Sequence, residues 1–392
     1  MKLPEYVLSI ISGLNSAGYE AYLVGGCVRD AAMGRKPSDF DITTSARPSE
    51  IISLFPKTVT VGEKYGTVIV ICGENRAEVT TFRTDGDYRD GRRPESVEFS
   101  ESLKDDLKRR DFTVNAMAMD GGGKIYDFCG GTDDIKRKII RTVGSPKERF
   151  SEDALRILRA VRFSAKLGFE IEEDTKAAMY EMRIMLKALS RERVRDELIK
   201  TLMTDNPQKA AEFISLGAFS DVSNDISRDF SVLNNIKRDE EHRLTAFCAE
   251  LMRAGAISDG ISFLKDMRFP AKTAKLCGAA AQIAAEEKRL GRVDIKTYMC
   301  YHGTAVCKIA LEVRKKLINY DEISEFEDII AKNECYNLKL LDLSAADLIG
   351  RGVTGRDIGK CLDAALKYAM KRTEKANKND ILLYLKREGM IK

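Results

Sequence analysis

Asp39 and Asp41 stand two residues apart in Ser38-Asp39-Phe40-Asp41-Ile42-Thr43-Thr44, a run rich in strand-forming residues. On a strand, alternate side chains share a face, so the two carboxylates are expected together while Phe40 turns toward a core. Two like charges held that close repel unless a cation neutralises them. Hard oxygen ligands suit Mg²⁺, which commonly takes one or two carboxylates plus substrate phosphates. Alone, a D-x-D pair reads as readily as a polar strand end; its surroundings add the chemistry. Gly25-Gly26 follows the apolar run Tyr22–Val24 and precedes a helical stretch bearing Arg29 and Asp30. Glycines there let backbone N–H groups approach a triphosphate at a helix N-terminus, and Arg29 adds charge one turn in. For the glycine pair by itself, an ordinary tight turn is the alternative.

A second constellation lies downstream. Asp153, Arg156, Arg159 and Arg162 recur every third residue and form one inclined ridge on a helix. Ser151 is placed to cap its start, Glu152 and Asp153 suit the positive end of the dipole, and Leu155, Leu158 and Val161 supply an apolar face. A solvated stripe with i,i+3 ion pairs is the competing reading. An ionised carboxylate only accepts hydrogen bonds and a guanidinium only donates. Cytosine and adenine each offer an amino donor beside a ring acceptor, whereas uracil and guanine present a carbonyl beside a ring N–H. One Asp/Arg pair therefore accepts C and A and rejects U and G, because each unpaired buried polar group costs roughly 1–3 kcal/mol.

The elements that must carry these residues divide the chain. Over about 140 residues, helical spacing (Leu3, Val7, Ile10, Ile11, Leu14) alternates with the strand-like runs Tyr22–Val24, Phe40–Thr43, Thr67–Cys72 and Ala77–Thr81. From about Ser145 the pattern is helical nearly throughout. The fold class expected is α+β: a head with a small mixed β-sheet and helices, then an all-helical remainder. Within that remainder a basic helix is expected over Ile358–Lys375 and a closing helix over Asp380–Arg387.

Composition excludes other classes. The 392 residues carry 65 basic and 61 acidic side chains, a net charge of +4 that is too mild to prove a nucleic-acid partner. No run approaches the ~18 apolar residues of a membrane span, and the N-terminus lacks a secretory or transit pattern. Nine cysteines without a C-x-x-C pair argue against a disulfide framework or a zinc ribbon, and a reducing, cytoplasmic setting is expected. His242 and His302 are the two histidines and sit in no metallohydrolase motif.

The segment LVGGCVRDAAMGRKPSDFDITT resembles the first motif of the class II tRNA nucleotidyltransferases (CCA-adding enzymes) and bacterial poly(A) polymerases. Arg109–Ala116 is similar to their RRDFTxNA motif, Asp127–Ile135 to the GGxxDL hinge, Glu152–Phe163 to the EDxLRxxRAxRF helix and Ser190–Leu198 to the SxERxxxEL helix. The likeness is dense across Leu23–Leu198 and thin afterwards. It implies a nucleotidyltransferase head over 1–140, a nucleotide-selecting neck over 141–205, a body over 206–330 and a tRNA-binding tail over 331–392. It further implies addition of CCA to the 3′ end of tRNA from CTP and ATP, with release of pyrophosphate and two Mg²⁺ ions on Asp39 and Asp41. Base choice falls to Asp153 and Arg156, with Arg110, Arg159 and Arg162 near the nucleotide or its phosphates; a structural pairing of Arg110 with Asp111 stays open. Glu78 is the candidate third acid, with an edge-strand surface Glu as the other reading.

The stretch Arg83–Pro94 resembles the flexible loop that lets full CCA-adding enzymes switch from C to A, a merely disordered insertion being the alternative. A CC-only or A-only enzyme is the nearest alternative function. Poly(A) polymerase is more distant, since Gly62-Glu63-Lys64-Tyr65-Gly66 departs from its basic pair before Phe. An inactive RNA-binding relative is expected to have lost a metal carboxylate, and both are present. Asp347–Gly350 and Gly355–Lys360 resemble the tail that grips the tRNA elbow, and Lys360, Lys367, Lys371, Arg372, Lys375 and Lys378 make that end basic. With few aromatics interleaved, base stacking is not indicated there, and backbone and shape reading of a folded RNA is expected.

Overall fold

The computed structural model describes residues 3–60, 66–85, 97–219, 222–223 and 228–392. The chain forms two compact units, residues 1–220 and 221–392. No helix among the described residues is long and apolar enough to cross a membrane.

In the first unit the strands are β1 (Ala21–Val24), β2 (Asp41–Thr44), β3 (Thr58–Thr60), β4 (Thr67–Cys72), β5 (Asn75–Thr81), β6 (Arg83–Asp85), β7 (Val97–Phe99), β8 (Met117–Met119), β9 (Ile125–Asp127), β10 (Ile139–Ile140) and β11 (Glu170–Ile171). Seven of them make one sheet in the order β3-β4-β5-β2-β1-β8-β9. All its ladders are antiparallel except β2 with β5, which run parallel and place Asp41 beside Glu78 and Ile42 beside Val79. Alternation does the sorting: Ile42, Val68, Val70 and Val79 enter a core shared with Val7, Ile10, Leu14 and Val28. A smaller apolar cluster gathers Val24, Phe82, Leu103, Leu107 and Ala118.

The helices of this unit are α1 (Glu5–Ser16), α2 (Gly26–Ala32), α3 (Pro48–Leu54), α4 (Leu103–Lys108), α5 (Gly131–Arg137), α6 (Pro146–Glu152), α7 (Leu155–Leu167), α8 (Glu173–Met182), α9 (Arg191–Leu202) and α10 (Ala211–Ser215). The helical part holds one exception to the expected pattern, β11, which pairs parallel with β10. The GGxxDL-like segment is built on one side chain. Asp127 accepts from the backbone N–H groups of Cys129, Gly130, Gly131 and Thr132, which starts α5 against the turn Thr113–Asn115.

The second unit contains α11 (Glu240–Arg253), α12 (Gly260–Asp266), α13 (Ala271–Ala284), α14 (Arg292–His302), α15 (Thr304–Leu317), α16 (Ile323–Ala331), α17 (Ala345–Ile349), α18 (Arg356–Met370) and α19 (Lys378–Arg387). Thus α18 ends five residues before the expected Lys375, and α19 begins two before Asp380. Tyr368 and Tyr384 pack against a separate apolar cluster around Cys361, Ala365, Ile381 and Leu385.

Candidate active site

Sheet order brings the carboxylates together. β2 begins at Asp41, whose Cα lies in register with Val24 of β1 on one side and Glu78 of β5 on the other. β2 starts one residue later than the expected Phe40–Thr43, so Asp39 precedes the strand and the strand alternation expected to pair it with Asp41 does not apply. Asp39, Asp41 and Glu78 are all solvent-accessible. The Asp41 carboxyl is held above its ordinary range, first by partial burial, then by Glu78; Arg110 opposes the rise and Asp39 adds to it. These groups therefore share one field. Among the described residues no three His, Cys, Asp or Glu side chains are assembled into a preformed metal cage. What is present, Asp41 with Glu78 and Asp39 acting on its carboxyl through space, supplies hard oxygen donors that fit a divalent cation completing its shell with phosphate oxygens.

Gly25 faces this cluster. Its backbone has φ 74° and ψ −133°, a conformation that L side chains rarely adopt. A Cβ there would lie 3.4 Å from Nη1 of Arg110 and 4.0 Å from Oδ2 of Asp41, so the missing side chain leaves the space between cation and carboxylate. Arg110 is aimed by Asp106: its Nη2 donates to Oδ2 of Asp106 at 3.1 Å, while Arg109 holds Oδ1 at 2.7 Å. Asp106 is fully buried, yet Arg109 and Arg110 outweigh that burial and keep its carboxyl below the usual range. Thr43, on β2 with Asp41 and two residues along, donates to Asp106 as well, at 3.3 Å. The pairing of Arg110 with Asp111 left open by the sequence is replaced by this Asp106 contact, and Asp111 belongs to Arg159.

Arg29 is not a free phosphate ligand. It is 2 % exposed, its Nε and Nη2 donate to Asp30, and its Nη1 donates to Oδ1 of Asn115 at 2.6 Å. Asn115 donates onward to Asp111 at 3.4 Å, and Asp111 accepts from Nε and Nη2 of Arg159 at 2.8 and 2.5 Å. A polar chain thus runs from α2, beside Gly25-Gly26, to the middle of α7. Phe163 is its hub, with the guanidinium carbons of Arg162, Arg159 and Arg29 at 4.1, 5.4 and 5.7 Å from the ring centre.

The helix expected to start at Ser151, with Asp153 in its first turn, starts later, and Asp153 falls outside it. α6 ends at Glu152, Asp153 is extended (φ −149°, ψ 104°), and α7 starts at Leu155. Ser151 does not cap: its hydroxyl donates to Glu148 O within α6. Ala154 flanks α7 without a side-chain cap; Asp153, one residue earlier, turns the chain into the helix, with Oδ1 accepting from Leu155 N at 2.9 Å and Oδ2 pairing with Arg193 at 2.7 Å. Arg156, Arg159 and Arg162 keep the ridge without the i,i+3 pairings of the competing reading: Arg156 meets Glu152, Arg159 meets Asp111, and Arg162 meets Glu197 at 2.5 Å. Arg156 makes its contacts through Nη1, to Glu152 and to Arg149 O, so Nε and Nη2 lie outside those bonds. Asp153 and Arg156 are therefore neighbours in sequence, each with its own partner.

Sequence reasoning missed Asp106, Asn115 and Lys166. Asp106 had a signal, since it stands three and four residues before Arg109 and Arg110. Lys166, one turn past Arg162, had none. Burial first, then the charges of Arg29 and Arg162, hold its ammonium below the ordinary range despite Asp30 and Asp39. Residues 62–65 and 86–94, on which the readings of polymerase type and of C-to-A switching drew, lie outside the described residues.

Comparison with known proteins supplies the family. Residues 21–141 match the model of the Poly A polymerase head domain, and residues 168–214 that of the probable RNA and SrmB-binding site of polymerase A. The CCA-adding enzyme of Bacillus velezensis is 38% identical over 357 residues, covering 87% of each chain. The chain belongs to the CCA-adding enzyme family. The Geobacillus kaustophilus member is 56% identical over 203 residues, which is 52% of this chain and 50% of that one. In such higher-identity matches the chain spans about half the length of the relative. A crystal structure of the Bacillus stearothermophilus CCA-adding enzyme in complex with CTP superposes with a TM-score of 0.76 at 31% identity, over 98% of this chain and 96% of the other. The family's α+β class, a nucleotidyltransferase head followed by helices, is the fold found here.

Proposed function

We propose that this protein adds C, C and A in turn to the 3′ end of tRNA, taking CTP and ATP and releasing pyrophosphate. The observation that carries the proposal is the approach of Asp41 and Arg110 to the open backbone of Gly25, with Glu78 in register beside Asp41 on the neighbouring strand. In this reading residues 1–140 are the catalytic head, 141–205 the selecting neck, 206–330 the body and 331–392 the tRNA-binding tail.

Asp39 and Asp41 would hold Mg²⁺, with Glu78 tuning their charge from the neighbouring strand. Divalent cations bound there supply Lewis-acid activation of the terminal hydroxyl and neutralise the triphosphate. The chain's own residues bind and orient. Gly25 admits a phosphate to a gap no side chain fills, and Arg110, braced by Asp106, presents a donor across it. Arg29, Asn115 and Asp111 hold Arg159, and with it α7, in fixed relation to that gap. Asp153 retains acceptor capacity beyond its bonds to Leu155 N and Arg193, and Arg156 has Nε and Nη2 for a ring nitrogen. A base with an amino group beside a ring acceptor satisfies both; uracil and guanine satisfy neither. Arg162, tied to Glu197, keeps the end of the ridge in place.

The test is incubation of the purified chain with tRNA lacking CCA and each NTP singly and in pairs, read as 3′-end extension and pyrophosphate release. The expected pattern is extension by CTP, one further A when ATP is added, silence with UTP or GTP, and loss with EDTA restored by Mg²⁺. Extension that stops after C residues, a single A without C, or a long A tract would each replace the proposal by the CC-only, A-only or poly(A) alternative.

A further inference from the structure

The tail holds an arrangement that its sparse aromatic content did not suggest. Tyr368 on α18 and Tyr384 on α19 stack with ring centres 4.3 Å apart and planes 12° from parallel. The guanidinium carbon of Arg372 lies 5.1 Å from the centre of the Tyr368 ring, and its Nη1 donates to the Tyr368 hydroxyl at 2.6 Å. Both rings are partly exposed, at the edge of the tail core rather than inside it. The chain that carries Arg372 is also fixed from beneath. Lys296, fully buried and paired with buried Glu334 at 2.6 Å, donates to Met370 O at 3.1 Å and Arg372 O at 2.6 Å. A desolvated ammonium thus satisfies the carbonyls at the end of α18, where the dipole is negative. Exposed Lys367, Lys371, Arg372 and Lys375 stand there, and Glu374 is the acidic residue among them.

Flat π-surface, a guanidinium held against it and a surrounding cationic field together make a surface for nucleobases. Stacking supplies energy whatever the base, and the cations meet the phosphates that accompany it. We infer that the Tyr368–Tyr384 stack with Arg372 is a platform for an exposed base of a folded RNA. With the tRNA reading above, on which this inference rests, the occupant is an outward-facing base or base pair of tRNA. The tail then binds through base stacking as well as through the backbone, and because Lys296 anchors the platform, little ordering is needed on binding.

The experiment is fluorescence-anisotropy titration of the full chain with labelled tRNA lacking CCA, at several salt concentrations, alongside thermal unfolding. Tyr384→Leu keeps an apolar side chain against the tail core but has no π-face; it is expected to weaken binding roughly tenfold with the salt slope unchanged. Tyr384→Phe is expected to bind within about twofold of wild type, since it keeps the stacking face. Arg372→Met, at an exposed position that leaves the core untouched, is expected to weaken binding about fivefold. Wild-type affinity in Tyr384→Leu or in Arg372→Met, or an equal loss in Tyr384→Phe and Tyr384→Leu, overturns the platform. A lowered Tm with unchanged affinity likewise overturns it and assigns the stack to packing alone. Failure of the wild-type chain to bind tRNA refutes the function reading itself.

Discussion

The contact between Asp111 and Arg159 is the joint on which α7 hangs from the RRDFTxNA segment, and its strength can be measured. Both hydrogen bonds end on one oxygen of Asp111, whose side chain is 10% exposed; that of Arg159 is 33% exposed. Bonds to charged groups contribute about 1.5–3 kcal/mol, and removing one partner of a buried pair costs about 3–5 kcal/mol. The exposure of Arg159 moves the expectation to the lower end. Asp111→Asn retains an acceptor for Phe112 N and is expected to cost about 2 kcal/mol; Arg159→Met strands the carboxylate and is expected to cost about 3 kcal/mol. The double variant is expected to cost less than the sum, giving a coupling of about 1.5–2 kcal/mol. Urea unfolding of the full chain by far-UV circular dichroism, fitted with one transition per unit, supplies the cycle. Coupling below about 0.5 kcal/mol, the scatter of independent sites, refutes the view that this pair joins α7 to the head. The same variants should raise the KM for CTP more than they lower kcat for chemistry, since the pair positions α7 and touches no reacting atom.

Three further outcomes follow from the same geometry. Gly25→Ala forces a side chain into a φ of 74° and between Arg110 and Asp41, so nucleotide incorporation should fall about a hundredfold with a modest change in Tm; near-normal turnover would remove Gly25 from the phosphate path. Gly131→Ala would place a Cβ 2.2 Å from Thr113 O, and loss of more than about 3 kcal/mol of stability by urea titration is expected, whereas a wild-type midpoint would contradict the packing of α5 on that turn. Asp111 is buried, but Arg159 and then Arg156 hold its carboxyl below its unfolded range. Its stabilisation is therefore complete above the unfolded carboxylate value of about 3.9 and fades as pH falls through the lower folded value. The stability gap between wild type and Asp111→Asn should thus narrow only on that acid limb; a gap that narrows toward alkaline pH would reverse the sign and refute the assignment.

Much of the site could be read along the chain because its parts are local. Gly25-Gly26, Asp39, Asp41 and the two arginines before Asp111 announce themselves within short segments, and strand alternation places Ile42 and Val79 in the core. What escaped reading is tertiary. The arginines of α7 find carboxylates 48 residues away at Asp111 and 35 away at Glu197, distances over which periodicity says nothing. The start of α7 escaped because Ser151 has the type of a capping residue, whereas its hydroxyl bonds back to Glu148 O and the carboxylate of Asp153 accepts from Leu155 N instead. The tyrosine stack is invisible for a similar reason: composition counts aromatics, whereas the turn between α18 and α19 brings two of them together.

The parallel ladder between β2 and β5 has a consequence for how such a protein can vary. β5 is bonded to β4 in one direction and to β2 in the other, so neither partner allows it to slide alone. A slip of one residue would bring Ala77 or Val79 opposite Asp41 and turn the apolar set outward. Length changes in this stretch must therefore collect in the hairpin at Gly73-Glu74, while the span from Asn75 to Thr81 behaves as a ruler that no insertion can lengthen without unseating the acid beside Asp41.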